Sequence, residues 1–132
     1  MPKHLMTAAS LPANPERLFD MYLDSAAHAA FTGKPVTIEP RAGAQFQAFD
    51  GMISGTILYV QPKQIIVQTW RSVHFPPTAM DSTLVLTFWP EASGGRIELN
   101  QINIADDDFA GVSQGWEKHY WTPWRAYLTK NS

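Results

Sequence analysis

The stretch Val112-Ser113-Gln114-Gly115-Trp116-Glu117-Lys118-His119-Tyr120-Trp121-Thr122-Pro123-Trp124-Arg125-Ala126-Tyr127-Leu128 decides the fold. Bulky residues recur at Val112, Trp116, Tyr120, Trp124 and then Leu128 or Tyr127, at spacings of three and four, which is the period of a helix face. Asp106-Asp107-Asp108 stands just ahead of the run, where the positive end of a helix dipole favours carboxylates. A long helix over 110–129 is predicted, with a bend at Pro123, which cannot donate its backbone N–H. So aromatic a face cannot stay in water and needs an apolar surface to cover it.

Upstream the period changes from 3.6 to two. Strands are predicted at Val36–Pro40, Gln45–Phe49, Ile53–Gln61, Ile65–Val73, Thr83–Trp89 and Arg96–Ala105. They are separated by the turn signals Asp50-Gly51, Pro62-Lys63 and Ser93-Gly94-Gly95 and by a proline-containing loop over 74–81. Neighbouring strands joined this tightly pair antiparallel. Before them comes an extended stretch over 3–11. Asn14-Pro15 then opens a helix, with Asn as cap and Pro at the first position, and Leu18, Phe19 and Tyr22 share one face. A second short helix spans Ala26–Phe31 and ends at Thr32-Gly33-Lys34-Pro35. The expected fold is α+β: a curved antiparallel sheet of six or seven strands wrapped around the long C-terminal helix, with two short helices after the first strand. Residues 1–132 are read as one domain, a normal size for a single core.

The chain is 45% hydrophobic and 17% charged, a globular rather than a disordered composition. Five Trp, seven Phe and four Tyr imply a bulky core or a ring-lined cavity. The net charge of -2 and the scattered basic residues argue against a nucleic-acid partner. With no cysteine there is no disulfide, thiolate metal site or cysteine nucleophile. No signal-type apolar segment or membrane span is read in the sequence, and the expectation is a cytoplasmic protein, monomer or homodimer, without metal or cofactor.

Gly111-Val112-Ser113-Gln114-Gly115 matches the G-x-S-x-G pattern of an esterase nucleophile elbow. The helix around it speaks against that reading, because the elbow requires a strand-to-helix turn and Glu117 is the one acidic residue between Ser113 and His119. Gly115 is better read as a point where the helix approaches the sheet closely. No two of His4, His28, His74 and His119 share a metal-type spacing. The three aspartates lack the alternation of a calcium loop and read as a solvated helix start. No catalytic residue is assigned.

Several segments together resemble one family. They are Ala30-Phe31-Thr32-Gly33, Phe46 with Phe49-Asp50-Gly51, Ser54-Gly55-Thr56, Pro62 through Ile66 to Trp70-Arg71, Leu84-Leu86-Phe88 in alternation, Gly94-Gly95 and Gln114-Gly115-Trp116. In this order they resemble the domain named after the activator of the heat-shock-protein-90 ATPase, a member of the START-like, or helix-grip, superfamily. The resemblance implies a pocket between the long helix and the sheet, which superfamily relatives use for apolar ligands. In the eukaryotic activator a similar domain follows an N-terminal chaperone-binding domain, which this sequence is not expected to carry.

Placed on that fold, the sheet's inner face is expected to carry Phe46, Leu58, Val60, Ile66, Gln68, Trp70, Leu84, Leu86, Phe88, Leu99 and Gln101, facing Trp116, His119, Tyr120 and Trp124 of the helix. The candidate ligand-binding residues are Phe46, Gln68, Trp70, Phe88, Gln101, Trp116, His119 and Tyr120. Each also has an ordinary reading, the rings as core and the two glutamines as polar groups satisfied by water or protein. Three functions follow. One is a non-enzymatic module binding a small hydrophobic or aromatic ligand. Another is a chaperone-interaction protein. The third is an enzyme using the same pocket, as polyketide cyclases of the superfamily do.

Overall fold

The computed structural model describes residues 2–131. Chain order is β1 (Lys3–Leu11), α1 (Pro15–Leu23), α2 (Ser25–Thr32), β2 (Val36–Thr37), β3 (Gln45–Ala48), β4 (Ile53–Gln61), β5 (Ile65–Ser72), β6 (Ser82–Glu91) and β7 (Gly94–Ile104). A C-terminal rod follows, made of a 3-10 turn (Asp106–Asp108), α3 (Phe109–Gly115), a π-helical turn (Trp116–Trp121) and α4 (Thr122–Lys130). The strands form one seven-stranded sheet in the order β1-β7-β6-β5-β4-β3-β2, antiparallel throughout. This is the α+β layout expected from the two periodicities.

Local chemistry sets the helix ends. The Asn14 side chain accepts the Arg17 N–H at 2.8 Å and Pro15 occupies the first turn, so two donors without helical partners are accounted for. Asp24 caps α2 in the same way through the Ala27 N–H. Gly33 ends α2 in the left-handed conformation that glycine adopts without a Cβ penalty.

Four sequence expectations change. First, β2 stops at Thr37 instead of running to Pro40, because the Ser25 hydroxyl takes both backbone groups of Ile38, donating to its carbonyl and accepting its N–H. Second, Leu58 does not face inward. The ladder pairs Ile57 with Gln68 and then Tyr59 with Val67, a bulge that leaves Ile57 fully buried and Leu58 exposed. Strict alternation places Leu58 on the wrong face because it does not count the extra residue. Third, the disturbance at Pro123 takes the form of a widened turn, in which the Thr122 N–H reaches back five residues to the Glu117 carbonyl. Fourth, Gly115 is not pressed against the sheet. A Cβ there would meet nothing nearer than the His119 ring edge at 3.6 Å.

The inner face of the sheet buries Phe46, Ile57, Ile66, Leu84, Leu86, Phe88, Ile97 and Leu99. Against it pack Leu18, Phe19 and Tyr22 of α1, Phe31 of α2, and Trp116, Tyr120, Trp121, Trp124 and Leu128 of the rod. Trp124 stacks on Phe31 with ring centres 4.0 Å apart, clamping α4 to α2. Burying a side chain of this class stabilises the fold by roughly 1.5–3 kcal/mol. No helix among the described residues is long and apolar enough to cross a membrane.

Candidate functional site

Packing between rod and sheet is tight at the C-terminal half of the rod and loose at its N-terminal half. There a cavity of about 420 Å³ opens, within the range of small-molecule sites. Its sheet-side wall is Trp70 and Ser72 at the end of β5, with His74 in the loop beyond. Its helix-side wall is Val112, Trp116 and Tyr120, four residues apart, with His119 beside Tyr120. Gly111 and Gly115 lie on the same wall and keep it low. The tip of the β3–β4 hairpin closes the third side with Phe49, Met52 and Ile53.

The rings are arranged as a set. Trp70 and Trp116 have centres 6.3 Å apart, Trp116 and Tyr120 4.7 Å, and Phe49 sits 5.7 Å from Tyr120 and 5.6 Å from His119. Phe49, Asp50 and Gly51 all have positive φ, and for a ring-bearing residue this is an uncommon, strained conformation. It turns the Phe49 ring back over the rod. The polar groups Ser72, His74, Asp108 and His119 lie around this apolar chamber. The described residues hold no group of three or more metal-ligating side chains.

Two buried polar chains fix the aromatic walls. In the first, the Trp116 Nε1–H donates to Gln101 Oε1 at 2.9 Å, Gln101 Nε2 donates to Ser82 Oγ at 3.0 Å, and Ser82 Oγ donates to the Trp70 carbonyl at 2.6 Å. One relay therefore ties the two tryptophan walls together. In the second, the His28 Nδ1–H donates to the Tyr22 carbonyl at 2.8 Å. A carbonyl can only accept, so Nε2 carries the lone pair and accepts from the Tyr120 hydroxyl at 2.8 Å. His28 is fully buried, and burial pushes its pKa down to about 4. Burial raises the pKa of both Tyr22 and Tyr120. The Tyr22 hydroxyl donates to Gln68 Oε1 at 2.6 Å, while Gln68 Nε2 has no partner among the described residues.

The family model for activator of Hsp90 ATPase homolog 1-like proteins matches residues 12–129. The chain belongs to this family. A Dictyostelium discoideum activator of 90 kDa heat shock protein ATPase homolog is 26% identical over 118 residues, which are 89% of this chain and 30% of that protein. The chain thus spans less than a third of that curated relative. A Mesorhizobium loti protein of known structure superposes with a TM-score of 0.84 at 18% identity, covering 98% of this chain and 99% of that one. The structure of an HSP90 activator from Plasmodium falciparum gives 0.83 at 18% identity, covering 96% of each chain.

In this family member the eight candidate residues divide evenly. Trp70, Trp116, His119 and Tyr120 line the cavity. Phe46, Gln68, Phe88 and Gln101 are buried away from its surface. Phe88 packs edge-on against Phe19 and Phe46 lies 6.3 Å from the His28 ring, both as core. Gln101 stands behind Trp116 and positions it. Phe49, Met52, Ile53, Ser72, His74 and Val112 also line the cavity and are not among the eight candidates. The alternation that turns Trp70 inward also turns Ser72 inward, so that signal was present. Nothing in the sequence tells that the hairpin tip at 49–52 folds over the rod.

The Ser113 hydroxyl donates back to the Phe109 carbonyl at 2.9 Å, a bond typical of serine within a helix. Ser113 is not among the cavity-lining residues.

Proposed function

We propose that this protein is a binding module that holds a flat, mostly apolar aromatic molecule between α3 with the widened turn after it and the ends of β5 and the β3–β4 hairpin. The cavity carries the proposal: about 420 Å³, walled by Trp70, Trp116, Tyr120 and Phe49, which offer ring faces and edges. The relay through Gln101 and Ser82 supports it, since it fixes the rotamers of the walls before a guest arrives and lowers the ordering cost of binding. In this reading His74 and His119 orient the guest by hydrogen bonding and perform no chemistry. The test is quenching of Trp70 and Trp116 fluorescence by 2-naphthol, in the wild type and in Gly115→Leu, which adds bulk at a cavity-lining position. Saturable quenching that Gly115→Leu abolishes is expected. Equal quenching in both proteins, or none in either, sinks the proposal.

A second reading is an Hsp90-activator-like interaction, supported by the family model and by the likeness to the Plasmodium falciparum activator along its whole length. Here the outer face of the sheet, with Met6, Tyr59, Trp89 and Ile102 exposed, is the surface concerned. Stimulation of Hsp90 ATP hydrolysis that survives Gly115→Leu is the result expected of it.

A further inference from the structure

The hydrogen-bond phase of the sheet can be followed strand by strand to its edge. The Phe88 N–H donates to the Gln64 carbonyl at 2.9 Å, so the inward residues of β6, Leu84, Leu86 and Phe88, direct their backbone groups at β5. The alternate residues Thr83, Val85 and Thr87 then bond Ile102, Asn100 and Glu98 of β7. This leaves Ile97, Leu99 and Gln101 to bond Ala9, Thr7 and Leu5 of β1. The backbone groups of His4, Met6, Ala8 and Ser10 therefore point off the sheet. Arg125 of α4 already donates to the Ser10 carbonyl, from Nε and Nη2, at 3.4 Å each. Among the described residues the open groups belong to His4, which lies at a register shift against β7 between Lys3 and Leu5, and to Met6 and Ala8, three donors and three acceptors about Met6.

We propose that β1 pairs antiparallel with β1 of a second copy, about a two-fold axis at Met6, so that His4 of each chain faces Ala8 of the other. The strand is open to such pairing. From Leu5 to Leu11 it carries no charge and no proline, the usual guards of a solvent edge. The opposite edge, β2, has only two residues and is followed by Glu39-Pro40. The side chains fit the same axis. On the outer face Met6 is 69% exposed and would meet its own symmetry mate. Beside it runs a groove of about 280 Å³ lined by Met6, Ala8, Glu98 and Asn100. Ala8 pairs with Glu98 across the ladder. An imidazole placed opposite the small Ala8 side chain would reach over it toward the Glu98 carboxylate, whose Oε2 accepts from Arg96 Nε at 3.1 Å, and would donate to its other oxygen. Moving the axis to Thr7 would set His4 against Ser10, whose carbonyl Arg125 holds. Met6 is thus the register that leaves that bond intact.

The test is sedimentation velocity of the full chain over a concentration series from about 1 µM to 1 mM. A reversible dimer is expected. Met6→Pro removes an outward N–H and leaves the β7 bonds of Leu5 and Thr7 in place, and Ala8→Lys puts a charge at the seam. Each should weaken dimerisation at least tenfold while circular dichroism and the melting transition stay those of the wild type. The chain has no cysteine, so Met6→Cys provides a register probe. It should form an intermolecular disulfide on mild oxidation, since directly paired Cα atoms lie about 5.5 Å apart. Ser10→Cys, away from the axis, should not. A wild type monomeric across the series overturns the proposal. So does a dimer untouched by both Met6→Pro and Ala8→Lys, or cross-linking of Ser10→Cys as fast as Met6→Cys.

Discussion

Replacing Gln101 by leucine tests whether the relay holds the cavity walls. Gln101 is fully buried and makes two bonds, accepting from Trp116 and donating to Ser82. Leucine fills nearly the same volume, so little cavity is created and the change is chiefly one of hydrogen bonding. Ser82 keeps its bond to the Trp70 carbonyl, but the buried Trp116 N–H is left without an acceptor. An orphaned buried donor costs about 1–3 kcal/mol. At about 2.1 cal/mol/K per residue, a chain of 132 residues has an unfolding entropy near 0.28 kcal/mol/K. The expected fall in Tm is therefore about 4–11 °C. Urea unfolding followed by circular dichroism gives the free energy directly. A double-mutant cycle with Trp116→Phe isolates the pair, because without the indole N–H the Gln101→Leu penalty should shrink by more than half. A Gln101→Leu protein within about 0.5 kcal/mol of wild type, or a penalty unchanged in the Trp116→Phe background, would mean that the Trp116–Gln101 bond does not hold the wall.

Acid should expose His28. Its folded pKa of about 4 lies below the ordinary value of about 6.5, so its contribution is complete above pH 6.5 and is lost as pH falls toward 4, when the unfolded chain takes up the proton first. The loss is about 3 kcal/mol over that window, and His28→Gln, which can still accept from Tyr120, should flatten it relative to wild type in urea titrations at stepped pH. Absorbance at 295 nm in an alkaline titration should show the Tyr22 and Tyr120 phenolates only together with loss of the far-ultraviolet dichroism, because burial raises both. Gly115→Ala should raise stability by about 0.5–1 kcal/mol in thermal melts, since the added methyl meets only His119 in ordinary contact and alanine favours the helix. Ser113→Ala should leave stability within about 0.5 kcal/mol and leave labelling by a fluorophosphonate at background, as a hydroxyl engaged with the Phe109 carbonyl has no base to activate it.

The change of period at residue 105 made the fold legible, because a strand pattern and a helix pattern each announce which face must be covered. Asn14-Pro15 and Gly33 marked helix ends for the same local reasons that the structure shows. What escaped was non-local. The extra residue in β4 that turns Leu58 outward leaves no mark in the alternation, since a bulge is set by the partner strand. Ser25 ends β2 through Ile38, thirteen positions away. In the site, the helical stripe placed Trp116, His119 and Tyr120 together correctly. Whether a residue of the inner face meets cavity or core depends on how far along the rod the packing loosens. Periodicity is blind to that, and so Gln101 and Phe88 were indistinguishable in the sequence from Trp70.

The widened turn at Trp116–Trp121 divides the work of the rod. Beyond it α4 is moored to α2 through Trp124 and Phe31, and to β1 through Arg125. Ahead of it α3 stands over the cavity with two glycines and Val112 on the facing side, and the turn itself adds Trp116, His119 and Tyr120 to the wall. A chamber roofed by one half and anchored by the other can be re-cut at positions 111, 112 and 115 without disturbing the joints that keep the chain folded. In the binding reading proposed above, those three positions set the shape of the guest and the anchors do not.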